Sequence, residues 1–298
     1  MSEAHPLAGR RILVTGAEGN IGSAVCERLA GHGALITGLS LVTAADAGRP
    51  EPPMDRVLHG DTTDVDTVAD ALTDVDLVVH LAAIPSPGGH PPYTVFRTNV
   101  NSTFNVLSQA AERGIRRAVF ASSINHTGLP FNSHDVLPAY YPIDTSLPSD
   151  LDDGYALSKY VDEISATMIH RHWGLDSVGF RFPFVGPVDR IHRHAENVSK
   201  NPAHGAREAW SYLDVRDAAL AVELALTVPL TGSVPVYVAA DMTLQPYATE
   251  DLLDRYAPGV LRNRRFVGRE VPLDLTRARQ LLGFRAEHQV DLPILPLP

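Results

Sequence analysis

The stretch VTGAEGNIGSA, Val14–Ala24, decides the fold. It joins a β-branched run, RRILVT, to a segment with helical spacing, NIGSAVCERLAGHG, and it sets Gly16, Gly19 and Gly22 at three-residue intervals. Glycines at such a corner permit a tight turn and let backbone N–H groups approach a diphosphate. The N-terminus of the next helix adds a favourable dipole. With a strand before it and a helix after it, the pattern reads as the phosphate-binding turn of a dinucleotide site.

Outward from this turn, strand and helix signals alternate. ALITGLS is a second strand, TDVDTVADALTDV a short helix, and DLVVHLAA a nearly all-apolar strand. TVFRTNVNSTFNVLSQAAERG sets Phe96, Val100, Phe104, Leu107 and Ala111 on one helix face. RRAVFASS, the long helix GYALSKYVDEISATMIHRHWG and the strand LDSVGFRF follow. Continuous apolar strands separated by helices mean a parallel sheet covered on both faces, an α/β doubly wound fold of Rossmann type. After Phe182 the pattern loosens, and residues 183–209 show no clear periodicity. WSYLDVRDAALAVELAL restarts a strand and a helix, and PVYVAA, TEDLLDRYA and LDLTRARQLLGF come after it. The expected organisation is a dinucleotide-binding domain over 1–182, with 210–240 returning to it. A small substrate-binding lobe is expected from 183–209 and 241–298.

The 298 residues are 44% hydrophobic and 20% charged, ordinary for a soluble globular chain. A formal net charge of −10 argues against general nucleic-acid binding, which needs a basic face. The single cysteine, Cys26, allows no internal disulfide, and its helical context reads as a buried position. No run approaches the roughly 18 apolar residues of a membrane span, and no apolar leader precedes the first strand. The expectation is a cytoplasmic protein with no membrane or nucleic-acid partner.

Tyr155 and Lys159, in DDGYALSKY, stand one helical turn apart. Alone, the pair fits a helix surface as well as it fits chemistry. Other motifs occur in order around it: HGDTTD with Asp61 and Thr62, HLAA with Leu81, Ala82 and Ala83, NVNSTFNVL from Asn99, VFASS with Ser123, and the late LDLTRARQLLGF. Together with the glycine turn, this series resembles the extended branch of the short-chain dehydrogenase/reductase superfamily over nearly the whole chain. Ser102 departs from that branch, where a glycine is usual.

The resemblance implies that Tyr155 is the acid/base and that Ser123 positions the substrate oxygen, with Ser122 as the alternative serine. It also implies that Lys159 tunes the tyrosine and holds the nicotinamide ribose, and that Asn99 supports the lysine. The residue types suit the task. A free tyrosine has a pKa of roughly 10, too high for a base near neutrality. An ammonium one turn away favours the phenolate, and an opposite charge that close lowers a pKa by about 1–3 pH units. The expected cofactor contacts are Gly16, Gly19, Asn20, Ile21, Gly22, Ser40, Asp61, Thr62, Leu81, Ala82, Ala83, Tyr155, Lys159 and Phe182. At the end of the second strand Ser40 stands where NAD-users usually carry an acid. Glu18 would repel a 2′-phosphate, and Arg49 is the nearest cation in that loop. The reading favours NAD and leaves NADP open.

Gly186-Pro187 and Tyr212–Asp217 lie close together, leaving little chain to grip a nucleotide. WSYLDVRD and SSINHTG resemble the uronate dehydrogenase group, which oxidises free sugar acids. That implies substrate contacts at Asn125 and His126, with Ile124 as an extra residue before them, and Ser86, in AAIPSPGG, is a further expected substrate contact. Arg190, Arg193, Lys200 and Arg207 face only Glu196 between 190 and 207, so this segment is a local attractor for a carboxylate or phosphate. Its histidines match no zinc-ligand spacing, and no metal is expected. The loop 124–153 is expected to border the cleft. The leading expectation is an NAD(P)-dependent dehydrogenase or reductase acting on a free sugar, sugar acid or similar polyhydroxylated molecule. The alternatives are a nucleotide-sugar 4-epimerase with tightly held cofactor and a cofactor-sensing regulatory protein. Family habit adds a homodimer packed through the helices around 96–112 and 155–172.

Overall fold

A computed structural model describes residues 5–46 and 48–298. The first half alternates strand and helix: β1 (Arg11–Thr15), α1 (Asn20–Gly31), β2 (Leu35–Ser40), β3 (Arg56–His59), α2 (Val65–Ala71), β4 (Leu77–His80), α3 (Pro92–Glu112) and β5 (Arg117–Ser123). A short β6 (Tyr140–Tyr141) precedes α4 (Gly154–Trp173), β7 (Asp176–Phe182), β8 (Phe184–Gly186), α5 (Val188–Val198) and α6 (Pro202–Gly205). β9 (Tyr212–Asp214), α7 (Val215–Thr227), β10 (Ser233–Tyr237), α8 (Thr249–Tyr256) and β11 (Leu261–Arg262) complete it.

Seven strands form one sheet in the order β10-β7-β5-β4-β1-β2-β3, all parallel. The chain starts at β1, steps outward to β3, then reverses across β4, β5, β7 and β10. The reversal between β1 and β4 opens a crevice at the carboxyl ends of the strands, where such sheets bind ligands. Register brings Thr15 level with His80, and Ser123 level with Phe182, along that edge.

Alternation along the strands builds two cores. Ile12, Val14 and Val79 face α1 and α7, while Leu13, Val78, Ala118 and Phe120 face α2, α3 and α4. Cys26 lies fully inside the first core, and burial pushes its thiol up to about 12. Among the described residues no helix is long and apolar enough to cross a membrane.

Several local details add to or alter the sequence reading. On α3 Leu107 and Ala111 are buried as expected, but Val95, Asn99, Ser102, Thr103, Val106 and Ala110 are buried with them, while Phe104 is 42% exposed. Polar residues take the inner face because they meet buried polar partners there, so apolar periodicity points partly to the wrong side. β3 is half-exposed at the sheet edge and too short to announce itself. Within 183–209 a helix, α5, forms although only Ile191 is fully buried. Ile191, Ala195 and Val198 form its inward stripe, against Tyr212, Leu244 and Val290. Residues 124–147 pack with the second half of the chain: Ile124, Leu129, Tyr141, Ile143 and Leu147 share a cluster with Trp210, Tyr237, Leu252 and Phe266. Conversely, Ala278, Leu282 and Phe284 of the late LDLTRARQLLGF motif join the main core.

α4 starts at an N-cap, Asp153, whose Oδ1 accepts from the backbone N–H of Tyr155 and Ala156, both at 2.8 Å. It stops at Gly174 in the left-handed conformation, φ 76°. Asp153→Ala should therefore cost about 1 kcal/mol of stability, read as a lowered denaturant midpoint at unchanged slope.

Candidate active site

The glycine turn is shaped by what cannot fit. Gly16 has φ +68°, and a Cβ on it would lie 3.0 Å from the amide nitrogen of Ala82. A Cβ on Gly22 would lie 2.0 Å from the carbonyl oxygen of Gly16. Helix α1 thus abuts the strand-end turn directly. Its N-cap, Gly19, offers no side-chain acceptor, so the first-turn N–H groups at Asn20, Ile21 and Gly22 are left for an anion. Across the switch point, Thr15 Oγ1 accepts from the N–H groups of Leu81 and Ala82, both at 3.2 Å, which fixes the Leu81–Ala83 segment beside the turn. A cradle that side chains would fill, with free helix-end donors, fits a dinucleotide diphosphate.

The ribose side is less simple than the sequence implied. Ser40 Oγ accepts from the Glu18 N–H at 3.0 Å. The Glu18 carboxylate is buried, accepting from Ala44 N–H at 2.8 Å and meeting His59 at 3.1 Å. Arg49 lies over the turn, donating to Asn20 Oδ1 at 2.7 Å and to the Glu18 carbonyl. The acid is therefore engaged inside the loop, while a guanidinium stands near Ser40. Asp61 closes the turn after β3 by accepting from Thr63 N–H at 2.8 Å, and Thr62 meets Ser102 at 2.6 Å. Phe182 is buried at the end of β7.

α4 carries Tyr155 and Lys159 into the crevice, both nearly fully buried, with Lys159 Nζ 5.9 Å from the Tyr155 ring centroid. Lys159 donates to the Ala121 carbonyl at 2.9 Å and to Asp162 Oδ2 at 3.1 Å. Burial opposes its charge, but Asp162, Tyr155 and Glu163 outweigh it, so the ammonium is held up. Ser123 Oγ accepts from the backbone N–H of Asn125 at 3.1 Å and from its Nδ2 at 3.2 Å, leaving the hydroxyl proton free to donate. Ser122 is engaged elsewhere, donating to Glu163 Oε1 at 2.6 Å. Asn99 bonds to Ile84 through both amide atoms and donates to Ser158 Oγ at 3.1 Å, stapling the loop after β4 to α4 one residue before Lys159.

The expected substrate residues are not all gathered. Asn125 adjoins Ser123. His126 lies against Tyr160 with the rings tilted and accepts from Arg181 Nη2 at 3.2 Å, with burial pushing it down to about 4, so it is neutral. Ser86 is half-buried in the loop after Ile84, its hydroxyl 3.5 Å from the Gly88 carbonyl. Arg190 and Arg193 are exposed on α5, the first over Phe184 and the second paired with Asp189 at 2.9 Å. Arg207 bonds to the Asn132 carbonyl and to Asp135.

Three charged groups escaped the sequence reading, Arg181 and Asp162 buried and Glu163 partly so. Arg181 grips Glu163 through Nε and Nη2, at 2.9 and 2.8 Å, directly behind Ser122. Asp162 faces Lys159. Only Asp162 and Glu163 left a sequence signal, since they follow the lysine by three and four residues and so share its side of the helix.

A sequence profile described as the NAD dependent epimerase/dehydratase family matches residues 12–240. The chain belongs to this family. Its member here is an NAD-dependent enzyme of the extended short-chain dehydrogenase/reductase type. Similar proteins include a uronate dehydrogenase of Pseudomonas putida, 27% identical over 78% of this chain and 76% of the relative. An L-arabinose 1-dehydrogenase (NAD(P)(+)) of Haloferax volcanii is 30% identical over 67% of this chain and 76% of its own. Among solved structures, a UDP-galactose 4-epimerase superposes with a TM-score of 0.67 at 26% identity, covering 94% of each chain. A short-chain dehydrogenase/reductase superfamily protein of Agrobacterium tumefaciens with bound NAD gives 0.66 at 23% identity, covering 94% of this chain and 93% of that one, a likeness of fold.

Two outcomes test the family member's cofactor side. Gly22→Ala should weaken NAD⁺ binding at least about tenfold, because the turn must shift off the strand end; isothermal titration reads it. Ser40→Asp should raise the NAD⁺ over NADP⁺ preference at least about tenfold by setting an acid against the 2′-phosphate, seen as a ratio of kcat/KM values.

Proposed function

We propose that the protein interconverts a hydroxyl and a carbonyl on a free sugar, sugar acid or similar small polyhydroxylated molecule. The observation that carries this reading is the buried Tyr155–Lys159 pair at the end of the crevice that holds the glycine turn. Bound NAD⁺ supplies the hydride acceptor. Ser123 donates its free hydroxyl proton to the reacting oxygen and stabilises charge there. Tyr155 removes the hydroxyl proton as the carbinol carbon releases hydride and the C=O bond forms. Lys159 keeps the phenolate favourable. Two supports favour a small substrate over a nucleotide sugar. Only α5, α6 and one further helical turn lie between Gly186 and Tyr212, and the uronate and arabinose dehydrogenases are among the similar proteins.

The test is a screen of free aldoses, uronic acids and polyols with NAD⁺ and NADP⁺, read by nicotinamide absorbance. One class should turn over, and Tyr155→Phe should reduce kcat by about 10²–10⁴-fold. The likeness to a UDP-galactose 4-epimerase supports a second reading, in which hydride returns to the same substrate. Silence across the panel, with nicotinamide released when the purified protein is denatured, would favour that reading.

We further infer a cytoplasmic homodimer. Leu157, Ile164 and Met168 form an apolar stripe on α4 that is 39%, 53% and 40% exposed, and Phe104 is exposed on the adjoining α3. The inert, buried Cys26 suits a reducing compartment. Ile164→Glu should halve the sedimenting mass; a wild type that already sediments as a monomer overturns the dimer.

A further inference from the structure

Asp162 is 1% exposed, and its carboxylate faces the lysine of the proposed acid/base pair. A buried carboxylate is costly unless it serves a partner. Oδ2 accepts from Lys159 Nζ at 3.1 Å, and Oδ1 has no hydrogen-bond partner among the described residues. The ammonium is thus held on two fixed acceptors, Asp162 and the Ala121 carbonyl, with its third N–H left for the crevice. We propose that Asp162 is a positioning residue for the reaction: it fixes the Lys159 ammonium against Ala121 and cancels part of the charge that would draw the proton from Tyr155. This rests on the Tyr155–Lys159 reading of the site.

The surrounding groups leave Asp162 as the closest counter-charge. On α4 itself, Glu163 is nearby, but it is gripped by Arg181 from β7 and by Ser122 from β5. From β4, His80 is fully buried and pushed down to about 3, by desolvation and then by Lys159, so it is neutral. Its Nδ1 meets Thr15 at 2.8 Å and its Nε2 meets Thr103 at 3.3 Å. Burial pushes the Asp162 carboxyl up, and the Lys159 ammonium and the Thr103 hydroxyl, from α3, work against that rise. The carboxylate therefore acts on Lys159 directly, inside a buried polar layer where charges are weakly screened.

The sign follows. With Asp162 ionised, the Tyr155–Lys159 pair carries a compensating anion and keeps its proton to higher pH. With Asp162→Asn, the closest counter-charge to the ammonium is gone, and the nearby carboxylate that remains, Glu163, is already held by Arg181. The pair then gives up its proton at lower pH, whether the phenol or the ammonium yields it.

The experiment is an ultraviolet titration of tyrosinate on the full chain, taking the difference between each protein and its Tyr155→Phe counterpart. This isolates Tyr155 and needs no substrate. Asp162→Asn should move that titration down by about one pH unit or more, and Asp162→Glu should keep it near wild type. Where a substrate is found, the acidic limb of kcat/KM should move the same way. A merely structural carboxylate would alter stability and leave the titration where it is. Coincident curves in folded wild type and Asp162→Asn overturn the proposal. Asp162→Ser is read in the same way, and if neither variant is folded by circular dichroism the carboxylate is structural and the proposal fails. A panel without turnover would defeat the dehydrogenase reading alone, since the titration stands apart from it.

Discussion

The missing side chains at Gly16 and Gly22 are the constraint on which the rest is aimed. Helix α1 can press against the end of β1 only because no Cβ stands between them. That contact sets where the helix-end donors point, and it leaves room for Ala82 to approach from the far side of the switch point. Thr15 then fastens Leu81 and Ala82 in place, and its hydroxyl also meets His80. The cofactor cradle and the polar interior thus grow from a single turn.

Behind the crevice lies an unusual amount of buried polarity. One layer runs from Thr15 through His80 and Thr103 to Asp162 and Lys159, and a second holds Ser122, Glu163, Arg181 and His126. Both have α4 as a wall. Adjacent residues on that helix, Asp162 and Glu163, serve different cations, so a small rotation of α4 would disturb both pairings together. Packing between α3 and α4 and the Asp153 cap resist such a rotation.

Much of this was legible in the sequence, and the exceptions are physical. β1, β2, β4, β5 and β7 read clearly because strands buried on both faces are continuous apolar runs. β3 lies half-exposed at an edge and leaves no such run. α5 buries a single residue completely, so its polar majority masked a helix whose stripe is Ile191, Ala195 and Val198. On α3, Asn99, Ser102 and Thr103 occupy inward positions that a hydrophobic pattern assigns to solvent. Tyr155 and Lys159 become legible through the series of motifs around them, whereas Arg181 reaches Glu163 from β7, and nothing local marks that pairing. The orientation of Glu18, likewise, depends on Ala44 and His59 from two separate segments.

The seam between β5 and the cluster around Trp210 has a mechanical consequence. The chain passes from Ser123 straight into Ile124, which is packed among Leu129, Tyr141 and Trp210. The Ser123 hydroxyl is therefore anchored on one side by the sheet and on the other by that cluster. Its placement depends on how that cluster is packed. On the proposed role of the serine, selectivity built this way would be expressed in turnover: a molecule that fits loosely can still bind, yet meets a serine that is slightly out of line.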